Sequence, residues 1–143
     1  MIRYLIDSSA LWRLRRDRDL HEAWAELIDL RLIGSCAPQR VEFLRSTKNA
    51  AEYEVWRDDL LEMFPEAPLP KQVWRWVDTA QHHLAEYGVL SALSPVDLMI
   101  CATAVHHGLT ILHDDKDFRT VSRYLPEIAQ MSIYAGQEGG APS

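Results

Sequence analysis

Short apolar runs alternate with amphipathic helical stretches along the whole chain, and this alternation constrains the fold more than any other feature. Arg3-Tyr4-Leu5-Ile6, Leu32 to Ala37, Leu109 to His113 and Ile128 to Tyr134 have the length and apolarity of strands. Between them, apolar residues recur at helical spacing. Leu11, Trp12 and Leu14 form one set, and Leu20, Trp24, Leu27 and Ile28 a second. Val41, Phe43 and Leu44 follow, then Tyr53, Trp56 and Leu60 within a helix over 50–63. Val73, Val77, Ala80, Leu84 and Tyr87 make a long stripe that Gly88 ends. Ser94-Pro95 opens a helix that runs to His107 and stops at Gly108. Pro65, Pro68 and Pro70 punctuate a loop or a short edge strand. Strands alternating with helices imply an α/β fold in three layers, α/β/α, around a mostly parallel sheet of about five strands.

The 143 residues, 48% of them apolar, suffice for one globular domain with a real core. That domain is expected over 1–135, with 136–143 as a flexible tail. No apolar run approaches the roughly 20 residues a bilayer span needs. Asp7 interrupts the opening apolar run, which is read as neither signal peptide nor anchor. Cys36 and Cys101 are too few and too far apart for a disulfide framework or a zinc site. A reducing, cytoplasmic setting with no membrane contact is expected.

The net charge of −6 argues, taken alone, against a nucleic-acid partner. A site built from carboxylates that hold divalent cations also carries surplus acid, so the location of the acids matters more than their number. In an open α/β sheet, ligands gather beyond the carboxyl ends of the strands. Asp7 follows the first strand; Asp114, Asp115 and Asp117 follow the strand ending at His113. Asp97 lies in the first turn of the helix before that strand, and Glu42 near the start of the helix after the second. Each has a local reading: Asp7-Ser8-Ser9 as a helix cap, Ser94 to Asp97 as a capping box, Asp114 to Asp117 as an Asx turn, Glu42 with Arg45 as a surface pair. Independent caps have no reason to converge on one sheet edge, so a shared acidic pocket is expected. Clustered carboxylates need a counter-charge, and hard oxygen ligands suit Mg²⁺ or Mn²⁺. The chemistry that follows is phosphodiester hydrolysis.

The motifs Leu5-Ile6-Asp7-Ser8-Ser9-Ala10-Leu11, Val41-Glu42-Phe43, Ser94-Pro95-Val96-Asp97 through Ala104, and Thr110 through Phe118 resemble those of the PIN-domain ribonucleases. Size and element order are most similar to the VapC toxins of bacterial toxin–antitoxin pairs. The resemblance implies catalytic acids at Asp7, Glu42, Asp97 and Asp115, with the same four and Asp117 as metal ligands. Asp114 leaves the choice of the fourth acid open, although the spacing to Phe118 favours Asp115. Ser8 or Ser9 matches the family's small hydroxyl residue after the first acid. Also implied are a Mg²⁺-dependent endoribonuclease that cuts a structured RNA such as tRNA or rRNA, and a homodimer. The implied partner is a small VapB-like antitoxin, through which alone operator DNA is reached.

Arg13, Arg15, Arg16 and Arg18 crowd the first helix, while Lys116, Arg119 and Arg123 flank the last acidic loop. Of these, Arg13, Lys116 and Arg119, together with Ser8 and Ser9, are the substrate-binding candidates. Trp12 is a base-stacking candidate or a core residue. Trp74, off the apolar stripe of its helix, suggests a partner groove. His82-His83 and His106-His107 are adjacent pairs that cannot share a helix face, which argues against zinc. His113 is the histidine beside the acids. A haloacid-dehalogenase-like phosphatase requires an acid where Ser9 stands, and a receiver module requires acids and a lysine at other strand ends. A PIN-like scaffold without nuclease activity is the remaining alternative.

Overall fold

A computed structural model describes residues 1–135; the segment 136–143, expected to be a flexible tail, lies outside the described residues. Strands β1 (Tyr4–Ile6), β2 (Ile33–Gly34), β3 (Thr110–His113) and β4 (Ala129–Ser132) form a parallel sheet in the order β2-β1-β3-β4. Tyr4 pairs with Ile33 on one side and Thr110 on the other, so β1 is central. Seven α-helices cover the sheet among the described residues: α1 (Ser8–Arg16), α2 (Arg18–Asp29), α3 (Ala37–Leu44), α4 (Ala50–Met63), α5 (Val73–Glu86), α6 (Pro95–His107) and α7 (Lys116–Ser122).

The period-2 alternation of β1 splits its side chains between two cores. Tyr4 and Ile6 pack with Leu11, Trp24, Phe43 and Leu60 of α1 to α4. Leu5 packs with Val77 and Leu84 of α5, Ile100 of α6 and Phe118 of α7. Ile111 and Leu112 of β3 divide in the same way. The expected three layers are thus present, with both sheet faces covered.

Four strands stand where about five were expected. The proline-punctuated segment adds only one parallel bridge, Ser35 to Glu66. Its hydrogen bonds run from Ser35 N to Pro65 O at 3.0 Å and from Ala67 N to Ser35 O at 2.8 Å. Pro65 and Pro68 have no N–H to extend that ladder. Within Asp7-Ser8-Ser9, the cap of α1 is Asp7, whose side chain accepts from Ser9 N. The end of α6 is as read: Gly108 takes φ 68° after His106 and His107. Cys36 and Cys101 are free and buried, and burial raises the Cys36 thiol to about 11. No helix among the described residues is long and apolar enough to cross a membrane.

Candidate active site

The parallel strands end together, and the acids surround that edge: Asp7 at the start of α1, Asp97 in the first turn of α6, and Glu42 in the last turn of the short helix α3 rather than near its start as the sequence suggested. Asp7 leaves β1 as the cap of α1, with its amide bonded to Leu112 O at 2.9 Å, so the backbone here is locked to β3. Its Oδ2 accepts from Ser9 N at 3.1 Å and from the Ser9 hydroxyl at 2.6 Å. Glu42 projects from α3, where Pro38 sits in the first turn and fixes the helix start just after β2. Asp97 occupies the third position of α6 in a complete capping box. It donates its amide to Ser94 Oγ at 3.1 Å and accepts from Ser94 N at 3.4 Å.

These three acids, 90 positions apart at the extremes, converge. One carboxylate oxygen of each of Asp7, Glu42 and Asp97 lies within 4.8 Å of the others. The capping readings of Asp7 and Asp97 are therefore correct but incomplete, because the same side chains also face one another.

Electrostatics show what the convergence does. All three carboxyls are shifted toward the protonated form. Burial raises Asp7, which is 3% exposed, and the bonds from Ser9 partly counter it. Burial, then the charge of Asp7, raises Glu42, while a hydrogen bond from Ser8 opposes the rise. Burial and the charge of Asp7 together push Asp97 up to about 7. Like charges in a half-dry pocket disfavour one another, and a cation between them removes the conflict. Asp7 Oδ1 is buried and has no hydrogen-bond partner. A buried carboxylate oxygen left without a donor fits a metal ligand. The all-oxygen donor set suits Mg²⁺ or Mn²⁺.

The remaining predicted residues separate into distinct places. Asp115 is not among the three converging acids. It caps α7, accepting from Asp117 N through Oδ1 at 2.9 Å, yet it is near enough to raise Asp7 electrostatically. Asp117 contributes its amide to that cap. Asp114 is held by Arg13, Nε to Oδ2 at 2.6 Å. Ser8 donates weakly to Gln39 O at 3.4 Å and is bonded to Glu42. Ser9 stands between Asp7 and the Asp114 amide, which donates to Ser9 Oγ at 2.8 Å. Lys116 and Arg119 are exposed on α7. Trp12 packs tilted against Phe43, with centroids 4.4 Å apart, and edge-on to Trp56, so it belongs to the core margin. Arg15 lies over Trp56 and Arg16 over Trp12. Trp74 is 63% exposed, off the core stripe as read.

Two features escaped the sequence reading. Gln39 is fully buried one turn before Glu42, and neither amide atom has a partner. His113 is buried and bonded at both ring nitrogens, to Asp115 N and to Gln130 Oε1. Nothing in the spacing of Gln39 or Gln130 signals either arrangement.

The PIN domain family model matches residues 4–124. The chain is 51% identical over 108 residues to Ribonuclease VapC6 of Mycobacterium tuberculosis, covering 76% of this chain and 85% of that one. It is 35% identical over 122 residues to Ribonuclease VapC2 of the same species, covering 84% and 85%. Among solved structures, DNA-bound VapBC from Salmonella typhimurium superposes with a TM-score of 0.75 at 13% identity, over 93% of this chain and 99% of that one. VapBC2 from Rickettsia felis, bound to a promoter fragment, gives 0.74 at 14% identity, over 92% and 98%. Those two likenesses concern the fold.

Proposed function

The chain belongs to the PIN-domain family and is a VapC-type toxin, and from that premise we propose that it is a divalent-metal-dependent endoribonuclease acting in the cytoplasm. Its substrate is a structured cellular RNA, tRNA or rRNA, cut at a single-stranded loop to leave a 5′-phosphate and a 3′-hydroxyl. The observation that carries this reading is the meeting of Asp7, Glu42 and Asp97 within 4.8 Å, with a buried Asp7 oxygen that has no other partner.

Asp7, Glu42 and Asp97 would hold Mg²⁺ or Mn²⁺, with Asp115 and Asp117 at the margin. A cation bound there supplies positive charge that draws in the phosphodiester and favours deprotonation of the attacking water. The chain's own residues do the rest. Ser9 keeps Asp7 oriented and biased toward its charged form, because its hydroxyl bond lowers a pKa that burial raises. Ser8 does the same for Glu42. In the metal-free site burial and the charge of Asp7 push Asp97 up to about 7, so protons and a cation compete for this carboxylate near neutral pH. Arg13, Lys116 and Arg119 provide exposed cations that grip phosphates flanking the cut and offset the acidic surroundings.

A VapB-like antitoxin neutralises the enzyme and brings the pair to operator DNA, with the toxin as a homodimer. Solved complexes of VapBC with DNA support the antitoxin partner and the route to DNA. The deciding experiment incubates purified toxin with total RNA in Mg²⁺ or EDTA and maps new 5′ ends. Cleavage that needs metal and disappears in Asp7→Asn and Asp97→Asn supports the reading. Equal cleavage by wild type and both variants, or none by wild type, rejects it in favour of a scaffold.

A further inference from the structure

His113 ends β3, one residue before Asp114 and two before Asp115. Its ring is 1% exposed and lies against Phe118, with centroids 5.3 Å apart. Nδ1 accepts from the backbone N–H of Asp115 at 3.1 Å. Nε2 is 2.7 Å from Gln130 Oε1 on β4. A nitrogen that accepts carries no proton, so the single ring proton sits on Nε2 and is donated to Gln130. The ring thus spans from the outer strand of the sheet to the amide of the acid that caps α7.

Asp115 is held at two points: its amide by His113 and its Oδ1 by Asp117 N. With Oδ1 engaged in the cap, Oδ2 is the oxygen left for a cation or a substrate. Rotation of the Asp115 backbone would swing that oxygen relative to Asp7, whose ionisation already senses Asp115.

We propose that His113 is a positioning residue: through its Nε2–H tautomer, anchored on Gln130, it sets the backbone of Asp115 and so the placement of that carboxylate beside Asp7. Hydrophobic packing alone does not account for the arrangement. A leucine would fill the space between β4 and Phe118 but would leave the Asp115 amide without its acceptor. The assignment rests on the nuclease reading above.

Asparagine and glutamine separate the two ring functions. Asn at position 113 places an oxygen near the Nδ1 position, whereas Gln reaches the Nε2 position and misses the Asp115 amide. RNA cleavage by His113→Asn is expected within about tenfold of wild type. His113→Leu and His113→Gln are expected to lose about 10²-fold in kcat with KM little changed, the size of a small misplacement of a reacting group. Calorimetric titration of Mn²⁺ into the metal-free proteins is expected to show about tenfold weaker binding in His113→Leu and unchanged binding in His113→Asn. The ¹⁵N spectrum of histidine-labelled wild type is expected to place the proton on Nε2, a result independent of whether any variant folds. A proton on Nδ1 overturns the proposal. So does equal kcat for folded Asn, Gln and Leu variants. Absence of cleavage by wild type strikes the nuclease reading instead, and the ¹⁵N spectrum and Mn²⁺ titration then still decide the positioning of Asp115.

Discussion

Arg13 and Asp114, 101 positions apart, meet in a 2.6 Å ion pair between Nε and Oδ2. The pair joins α1 to the turn between β3 and α7. Below it, the Asp114 amide donates to Ser9 Oγ, and Ser9 Oγ donates to Asp7 Oδ2. A surface arginine is thus coupled by a continuous chain of contacts to the most buried carboxylate of the site.

The pair is largely solvent-exposed, so its contribution to stability is small; on the proposed nuclease reading it aims a cation at the RNA. Arg13→Ala is expected to leave the melting temperature nearly unchanged and to raise KM for RNA about 3- to 10-fold, with a shallower dependence of binding on salt. Asp114→Ala frees the guanidinium and is expected to leave kcat within a few-fold. A loss of kcat as deep as that of Asp97→Asn would make Asp114 a member of the catalytic set. Steady-state kinetics at two salt concentrations distinguish these outcomes.

Ser9 carries two bonds, and alanine removes both. Ser9→Ala is expected to destabilise the metal-free protein by about 1–2 kcal/mol, since the Asp114 amide and Asp7 Oδ2 each lose a partner. The lost bond is one that lowers the Asp7 pKa, so that pKa rises further above the ordinary carboxylate value. Protons then compete better with metal. Mn²⁺ affinity is expected to fall more at pH 6.5 than at pH 8, and Ser9→Thr is expected to restore it. Calorimetry at the two pH values provides the test.

The sequence showed the convergence of Asp7, Glu42 and Asp97 because their placement depends on topology. Asp7 and Asp97 stand at helix starts and Glu42 in the last turn of the short helix that follows β2, and parallel strands bring these segments to one edge. The helix bounds at Ala50, Met63, Pro95 and His107 were legible for a related reason: caps and stop residues are local chemistry. That the proline-punctuated segment makes one bridge rather than a fifth strand was not legible, because a run between prolines is extended whether or not it finds hydrogen-bond partners. The separate fates of Asp114, Asp115 and Asp117 were also hidden. Three acids within four positions differ only in where their backbones point, and that is set by partners as distant as Arg13 and Gln130.

Gln39 illustrates a packing choice that a sequence pattern cannot show. It lies on α3 in the interior with Phe43 and Leu44, and neither end of its amide finds a partner. Burying an amide without hydrogen bonds costs about 1–3 kcal/mol in protein contexts. Methionine has nearly the same shape and no such atoms. Gln39→Met is expected to raise stability by about 1 kcal/mol, read by denaturant titration of wild type and variant. If activity also falls, the amide contributes to holding Glu42, one turn further along the same helix. If stability falls instead, the amide is satisfied in solution.

Asp97 makes the stability of the metal-free protein depend on pH in the direction opposite to a surface carboxylate. Its folded pKa of about 7 lies above the ordinary value of 3.8. The folded state therefore binds the proton more tightly than the unfolded chain. The stability this contributes is fully present below the unfolded pKa and is lost as pH rises through about 7. The side chain is partly exposed, so solvent screening reduces the effect to roughly 1–2 kcal/mol. In EDTA, the wild-type melting temperature is expected to fall between pH 5.5 and pH 8.5. Asp97→Asn removes the charge and is expected to flatten that slope, leaving the variant more stable than wild type at the upper pH. Millimolar Mg²⁺ is expected to reverse the wild-type trend, because the cation favours the ionised trio that protons otherwise neutralise. A thermal-shift series across pH, with and without metal, measures all three. A slope unchanged by both Asp97→Asn and Mg²⁺ would mean that the three carboxylates do not share a common cation.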